Sequence, residues 1–143
     1  MENIFERIKK YNLPKGHYAV FGSALLDVFG IRKAADLDII VTPELYKKLK
    51  TDGWDEIQAN GFAMLRKGEA DVTTLQDEPT DGKYCPDRMK LIKDAVIING
   101  LPFVRIEEVI ACKIDYDREK DRVDILSIQN YIKARGLDKI YCQ

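Results

Sequence analysis

The sequence has few of the residues and patterns that mark zinc-binding, disulfide-rich or membrane proteins. Its 143 residues include three cysteines, one histidine and one tryptophan. Cys85, Cys112 and Cys142 are odd in number and far apart, so neither a disulfide framework nor a zinc site is predicted. No stretch approaches the ~18 apolar residues of a membrane span, and the first residues lack the apolar segment of a secretory signal. We therefore expect a soluble, cytoplasmic protein without a membrane partner.

Neither sign of charge dominates the chain. It carries 23 basic and 24 acidic residues, for a net charge of -1, so no overall field would attract nucleic acid. The sequence also has no internal repeat, low-complexity tract or linker. With 45% hydrophobic residues, it is predicted to form one globular domain over residues 1–143 with a single core.

Strand and helix patterns alternate along the chain. Helical spacing predicts helices over 2–12, 23–30, 42–53, 106–117 and 119–135, and strands are predicted over 18–21, 37–41, 54–58, 62–66, 69–75, 95–98 and 101–104. Asn60-Gly61 and Asn99-Gly100 predict two hairpin turns. Residues 76–88 are predicted to be the longest loop, either a lid or binding segment or a passive connection. The order of elements predicts an α+β fold, a mixed β-sheet flanked by helices with two C-terminal helices.

Two carboxylates lie two residues apart: Asp36 immediately precedes the predicted strand over 37–41, and Asp38 lies within it. In a strand they point to the same face, while Leu37 and Ile39 point to the core. Like charges held this close raise each other's pKa unless a cation lies between them. The pair therefore predicts a divalent metal site, with solvated acids at a strand end as the alternative.

A glycine-serine step lies upstream, where one predicted strand ends and a helix begins. Gly22 would let a phosphate approach the backbone, the helix start offers unpaired N–H groups, and the Ser23 hydroxyl adds a donor. Ser23 is equally compatible with an ordinary helix cap. If the step binds phosphate, the phosphate and metal sites are neighbours.

Four further charged residues are candidates for the same chemistry. Asp71 is a third acid, on the face of its predicted strand that Glu69 shares. Lys113 and Asp121 fall on the apolar faces of the last two predicted helices, and Asp124 follows three residues after Asp121. Buried charges need partners, so Lys113 either pairs with these acids to join the helices or faces a phosphate while the acids orient it.

These motifs resemble the signature of the nucleotidyltransferase superfamily, the DNA polymerase beta-like group: a hydrophobic residue, glycine and glycine or serine, then Asp-hydrophobic-Asp. The signature stands here as Phe21-Gly22-Ser23 and Asp36-Leu37-Asp38. A narrower resemblance, to the small AbiE-type toxin nucleotidyltransferases, is carried by Lys113 and by the run from Arg118 to Ile125. Together the resemblances cover residues 16 to 132 and imply a nucleotidyltransferase-like fold.

The resemblance also implies an activity: metal-dependent transfer of a nucleoside monophosphate from a nucleoside triphosphate such as ATP to a hydroxyl acceptor, with release of pyrophosphate. It implies Asp36, Asp38 and Asp71 as catalytic ligands of Mg2+, with two ions possible, and Asp71 as a base if it does not bind metal. The implied nucleotide-binding residues are Gly22, Ser23, Lys113, Asp121 and Asp124, with Lys113 also catalytic.

Partners and alternatives are less sharply implied. The acceptor could be an RNA end, a protein hydroxyl or a small molecule, and the site could depend on a homo-oligomer or a cognate partner protein. The main alternative is a catalytically inactive nucleotidyltransferase-like module that binds or regulates, of the toxin-antitoxin type. A third alternative, a structural interaction domain, predicts no binding of magnesium or nucleotide.

Overall fold

The computed structural model describes residues 2–59, 62–74 and 86–142, which form six α-helices and seven strands. The helices are α1 Ile4–Lys9, α2 Ser23–Val28, α3 Pro43–Thr51, α4 Arg88–Lys93, α5 Ile106–Tyr116 and α6 Glu119–Arg135, followed by a 3-10 helix at Leu137–Lys139. The strands are β1 Tyr18–Phe21, β2 Leu37–Val41, β3 Asp55–Ala59, β4 Phe62–Lys67, β5 Ala70–Thr73, β6 Val96–Ile98 and β7 Leu101–Phe103. None of the helices in these ranges combines the length and apolar character that crossing a bilayer requires.

The strands form one mixed sheet in the order β3-β4-β5-β2-β1-β7-β6. The pairs β2–β5 and β1–β7 are parallel, and the other four pairs are antiparallel. The predicted α+β class, a mixed sheet flanked by helices with two of them at the C-terminal end, is confirmed. β2 lies at the centre of this sheet and carries Asp38. The elements that cover each face of β2 therefore determine the surroundings of this acid.

The two faces of the sheet are covered unequally. The larger core lies on the face that carries Leu37 and Ile39, where α1, α2, α3, α5 and α6 contribute buried side chains. The smaller core lies on the opposite face, where Ala19 and Ile40 pack against Leu91 and Ile92 of α4. Because side chains alternate along a strand, Asp38 belongs to the α4 face, together with Ile40.

Local sequence signals explain most element boundaries. Thr42 accepts a hydrogen bond from the Leu45 N–H and caps α3 ahead of Pro43, as predicted. Asn99 and Gly100 both have positive φ, 53° and 78°, as the predicted two-residue hairpin turn requires. The strands of the other predicted hairpin, β3 and β4, are paired, and its turn at 60–61 lies outside the described residues.

The sequence pattern missed α4. Six residues are too few to display a clear helical period, and the segment directly follows the predicted loop over 76–88. The helix is stabilised by Asp87, whose carboxylate accepts from the N–H groups of Met89 and Lys90. Most of the predicted loop, residues 76–85, lies outside the described residues, so its role stays a prediction.

A buried arginine ties the first helix to the rest of the fold. Arg7 is 5% exposed and donates to both carboxylate oxygens of Glu69, at 2.9 and 3.0 Å. Its third nitrogen, Nη1, lies 3.5 Å from Asp27 Oδ2. Arg7 thereby connects α1 to α2 and to Glu69, the residue that precedes β5. The positive charge of Arg7 balances the negative charge of Glu69, the acid predicted to share a strand face with Asp71.

We expect Arg7→Met to destabilise the protein by about 3 kcal/mol in urea unfolding, because it leaves two partly buried carboxylates without their cation. Lys48→Met is a control on the exposed pair with Asp52, and it should cost less than about 1 kcal/mol. Equal effects of the two changes would show that the Arg7 pairs do not anchor α1.

Candidate active site

The sheet brings two of the three predicted acids side by side. In the parallel pair of β2 and β5, Asp38 lies directly opposite Asp71. Residues opposite one another on neighbouring strands point to the same face. Asp36 immediately precedes β2, whose first residue, Leu37, donates its N–H to the Glu69 carbonyl. Asp71, which the sequence could not place relative to the pair, therefore adjoins it.

Asp38 is electrostatically crowded. Its pKa is raised from 3.8 to about 6, first by burial among surrounding atoms and then by the negative charges of Asp71 and Asp36. The positive charge of Lys113 acts in the opposite direction. The residue still has solvent access, so a dissolved cation can reach the carboxylate. Crowding combined with access is the arrangement that cation binding would relieve.

Asp36 and Asp38 differ from Asp71 in their partners. Among the described residues, neither the Asp36 side chain nor the Asp38 side chain forms a hydrogen bond or a salt bridge with another protein group. Asp71, in contrast, is held by Arg66, with Nε 2.6 Å from Oδ1 and Nη2 3.3 Å from Oδ2. Of the three candidate acids, the two without such a partner in the described residues are therefore Asp36 and Asp38.

Arg66 is a site residue that sequence reasoning missed. It lies opposite Asp71 in the antiparallel pair of β4 and β5, so Arg66, Asp71 and Asp38 form a row across three strands. The two-residue connection between β4 and β5 was the available signal, because it sets this register. No group of three or more His, Cys, Asp or Glu in the described ranges is placed to hold a metal ion.

The glycine-serine step lies against the acids. Phe21 is paired with Asp38 across β1 and β2, and a Cβ atom added to Gly22 would lie 3.3 Å from Asp38 Oδ2. Gly22 has φ 74° and ψ -137°, a conformation that side chains disfavour. Gly22, and not Ser23, occupies the cap position of α2, so Ser23 is not an ordinary N-cap. The two halves of the motif, distant in sequence, therefore meet at one carboxylate.

The distal charged residues form a buried network. Lys113 Nζ lies 2.8 Å from Asp124 Oδ2 and 3.6 Å from Asp121 Oδ1, and all three residues are buried. The ion pair between the two C-terminal helices, one of the two alternatives that the sequence left open, is thus present. It does not exclude the other alternative, in which Lys113 faces a phosphate, because the positive charge of Lys113 also acts to lower the pKa of Asp38.

Each of the two buried acids has an arginine of its own. Arg32 donates to both oxygens of Asp124, at 2.9 and 2.8 Å, and Arg118 donates to both oxygens of Asp121, at 2.6 and 3.1 Å. Burial acts to raise the pKa of Asp124, but the hydrogen bonds from Arg32 and Lys113 outweigh it and lower the pKa to about 2. Both acids are therefore ionised at neutral pH.

Open depressions in the surface lie elsewhere. One of about 610 Å³ is lined by residues that include Arg7, Lys33 and Glu69, and another of about 300 Å³ adjoins it near Asp27 and Arg32. Neither is lined by Asp38 or Asp71. These surface depressions and the acids therefore lie in different places. The acids define the candidate site, because a carboxylate cluster on an open sheet face can bind a cation without a closed pocket.

Comparisons with known proteins give one structural likeness. No protein-family model and no curated protein sequence matches the chain. Among solved structures, the chain is similar to the aminoglycoside nucleotidyltransferase ANT(2'')-Ia, crystallised in complex with adenylyl-2''-tobramycin. The similarity has a TM-score of 0.46 and 17% sequence identity, and it covers 96% of this chain and 88% of the other. A TM-score below 0.5 means that the two backbones are similar only in part. The function is therefore argued from the side chains of this protein.

Asp38→Asn should change the pH dependence of stability. Because the pKa of Asp38 is raised from 3.8 to about 6, the folded protein holds a proton there that the unfolded chain has lost between these values. The contribution of Asp38 to stability therefore falls as pH rises through this window. We expect the variant to be more stable than wild type at about pH 7 and equal to it below about pH 4, in urea unfolding with a chelator present. Asp94→Asn, at the end of α4, is the control, and a pH-independent difference for Asp38→Asn would contradict the raised pKa.

Proposed function

We propose that this protein is a metal-dependent nucleotidyltransferase, which moves a nucleoside monophosphate from a nucleoside triphosphate to a hydroxyl acceptor and releases pyrophosphate. One observation carries the proposal. Asp38 lies close to Asp71 and Asp36, has no cationic partner in the described residues, and has its Oδ2 atom 3.3 Å from the position that a Cβ atom on Gly22 would occupy. Carboxylates beside an open glycine backbone suit a cation that is itself bound to phosphate.

The three acids have the donor chemistry of a magnesium site. Mg2+ prefers carboxylate and phosphate oxygens and retains several waters, so it needs few protein ligands. Asp36 and Asp38 would hold the first ion, and Asp71 would hold a second ion or act as the base toward the acceptor hydroxyl. Bound Mg2+ would supply charge neutralisation on the phosphates and lower the pKa of the attacking hydroxyl.

Gly22 and Ser23 are the proposed phosphate contacts. The positive φ of Gly22 and its missing side chain leave the backbone next to Asp38 open, and Ser23 begins α2 with its hydroxyl available as a donor. Phosphates placed there would lie beside the metal ligands. This arrangement would hold the α-phosphorus in line for attack, which is the main contribution that a protein makes to phosphoryl transfer.

Lys113 is the proposed cation for the leaving pyrophosphate. Its network contains three basic side chains, those of Arg32, Lys113 and Arg118, and two acidic ones, those of Asp121 and Asp124, so it has one positive charge in excess. Arg32 and Arg118 carry this excess at the surface, where 40% and 52% of their side chains are exposed. The excess charge would attract a phosphate of the triphosphate, which would then accept from Lys113. In this role Asp121 and Asp124 orient the lysine and do not touch the nucleotide.

The ion pairs also support a second candidate function. Arg66 on Asp71 and Lys113 on Asp124 satisfy these charges within the protein, as expected of a nucleotidyltransferase-like module that binds or regulates without catalysis, including a toxin-antitoxin component. The unpaired Asp36 and Asp38 favour the enzyme. The acceptor is proposed only as a hydroxyl group, on an RNA end, a protein or a small molecule, and a homo-oligomer or partner protein remains part of the proposal.

Replacing both Asp36 and Asp38 by Asn should abolish magnesium-dependent binding of nucleoside triphosphates. The binding of ATP, GTP, CTP and UTP would be followed by calorimetry with and without Mg2+, and pyrophosphate release would be measured with each candidate acceptor. We expect turnover to fall by about 1,000-fold, equivalent to the several kcal/mol that a metal contributes.

Asp52→Asn, on the exposed surface of α3, is the matched control and should bind nucleotide as wild type does. Binding that survives in the double variant would contradict the metal site. Magnesium-dependent binding without pyrophosphate release, whatever the acceptor, would favour the inactive module. The absence of binding in folded wild-type protein would reject the enzyme and would favour a non-catalytic module that regulates without binding nucleotide.

A further inference from the structure

Asp124 is the point where three separate parts of the chain meet. Arg32 comes from the segment between α2 and β2, Lys113 comes from α5, and Asp124 itself lies on α6. The Asp124 carboxylate is 6% exposed and accepts from Arg32 on both oxygens, while Lys113 shares Oδ2. Arg32 is 40% exposed, so it brings a surface charge to a buried acid.

Removal of Lys113 from this network would leave no buried acid without a cation. Asp124 would keep its two-point bond to Arg32, and Asp121 would keep its two-point bond to Arg118. Two-point bonds between guanidinium and carboxylate are the stronger class of charged hydrogen bonds. Lys113 has one direct hydrogen bond, to Asp124, and its 3.6 Å separation from Asp121 is longer than a hydrogen bond.

Without Arg32 the situation would differ. Lys113 would then be the main compensating charge for buried Asp124, and its transfer to a phosphate would expose the full cost of an unpaired buried carboxylate. That cost would be subtracted from the affinity for the phosphate. Arg32 is thus placed to decide whether Lys113 can exchange partners.

We propose that Arg32 is a positioning residue that holds Asp124 in place and so allows Lys113 to turn from Asp124 to a phosphate oxygen of the triphosphate. Arg32 itself does not contact the nucleotide. This inference rests on the proposed function and adds to it the device by which a buried lysine becomes available. The bond that breaks is Lys113 to Asp124, the bond that forms is Lys113 to phosphate, and no proton or covalent bond is transferred.

A double-mutant cycle tests the proposal, with inorganic tripolyphosphate plus Mg2+ as the probe because the preferred base is open. Affinities would be measured by calorimetry for wild type, Arg32→Gln, Lys113→Gln and the double variant, and thermal unfolding would be followed for each. Arg32→Gln should weaken binding about tenfold, within the range of coupling between neighbouring charges. The double variant should bind no more weakly than Lys113→Gln alone, because Arg32 acts only through Lys113.

Two further variants sharpen the cycle. Arg32→Lys keeps the charge but not the two-point bond, so it should recover part of the affinity, and it replaces Arg32→Gln in the cycle if that variant does not fold. Arg122→Gln is the matched control, because Arg122 lies on α6, as Asp124 does, and pairs with an exposed acid, Asp117. It should bind tripolyphosphate as wild type does.

The outcomes separate this inference from the proposed function. Losses that add in the double variant would mean that Arg32 contacts phosphate itself, which overturns the inference. A lower unfolding temperature with unchanged affinity in Arg32→Gln would make Arg32 purely structural and would also overturn it. In both cases binding by wild type leaves the proposed function standing. Folded wild-type protein that does not bind the probe would overturn the inference, and the titrations with the four nucleoside triphosphates would then decide the proposed function separately.

Discussion

The register of β2 between β1 and β5 is the constraint on which the rest of the structure depends. Leu37 and Ile39 are fully buried in the larger core, and this burial holds Asp38 on the opposite face. A slip of one residue would turn Asp38 into the core and expose its apolar neighbours, which the hydrophobic effect opposes. The same register sets Asp38 opposite Phe21 on one side and opposite Asp71 on the other. Packing of the hydrophobic core thereby fixes the positions of the polar residues of the candidate site, which lie outside that core.

Charge pairing then divides the acids of the fold into two groups. Glu69 and Asp71 are each bound by an arginine, and Asp121 and Asp124 of α6 are paired in the same way. Asp36 and Asp38 have no such partner among the described residues, and the pKa of Asp38 is raised. A fold that neutralises its other clustered acids and leaves two together concentrates negative potential at one place. That place adjoins the open backbone at Gly22, which is why cation and phosphate chemistry are proposed together.

Much of the fold followed from local patterns. Alternating apolar residues predicted the strands of the sheet, and the Thr42-Pro43 start and the Asn99-Gly100 turn were predicted from their residue types alone, because caps and tight turns depend on neighbouring residues. Helix α4 was missed because six residues show no clear period. The order β3-β4-β5-β2-β1-β7-β6 was not predicted, because pairing between distant strands depends on how the whole core packs.

By itself the sequence determined which residues are candidates for the chemistry: the acids two apart in a strand, the glycine-serine step, and the charged residues on otherwise apolar helix faces. These follow from period and residue type, which are local properties. Only the tertiary structure decided that Asp71 lies beside Asp38 and that Arg66 and Arg32 are the partners of Asp71 and Asp124. Ion pairs between residues as distant in sequence as Arg32 and Asp124 depend on where packed elements place their side chains, and no local pattern encodes that distance.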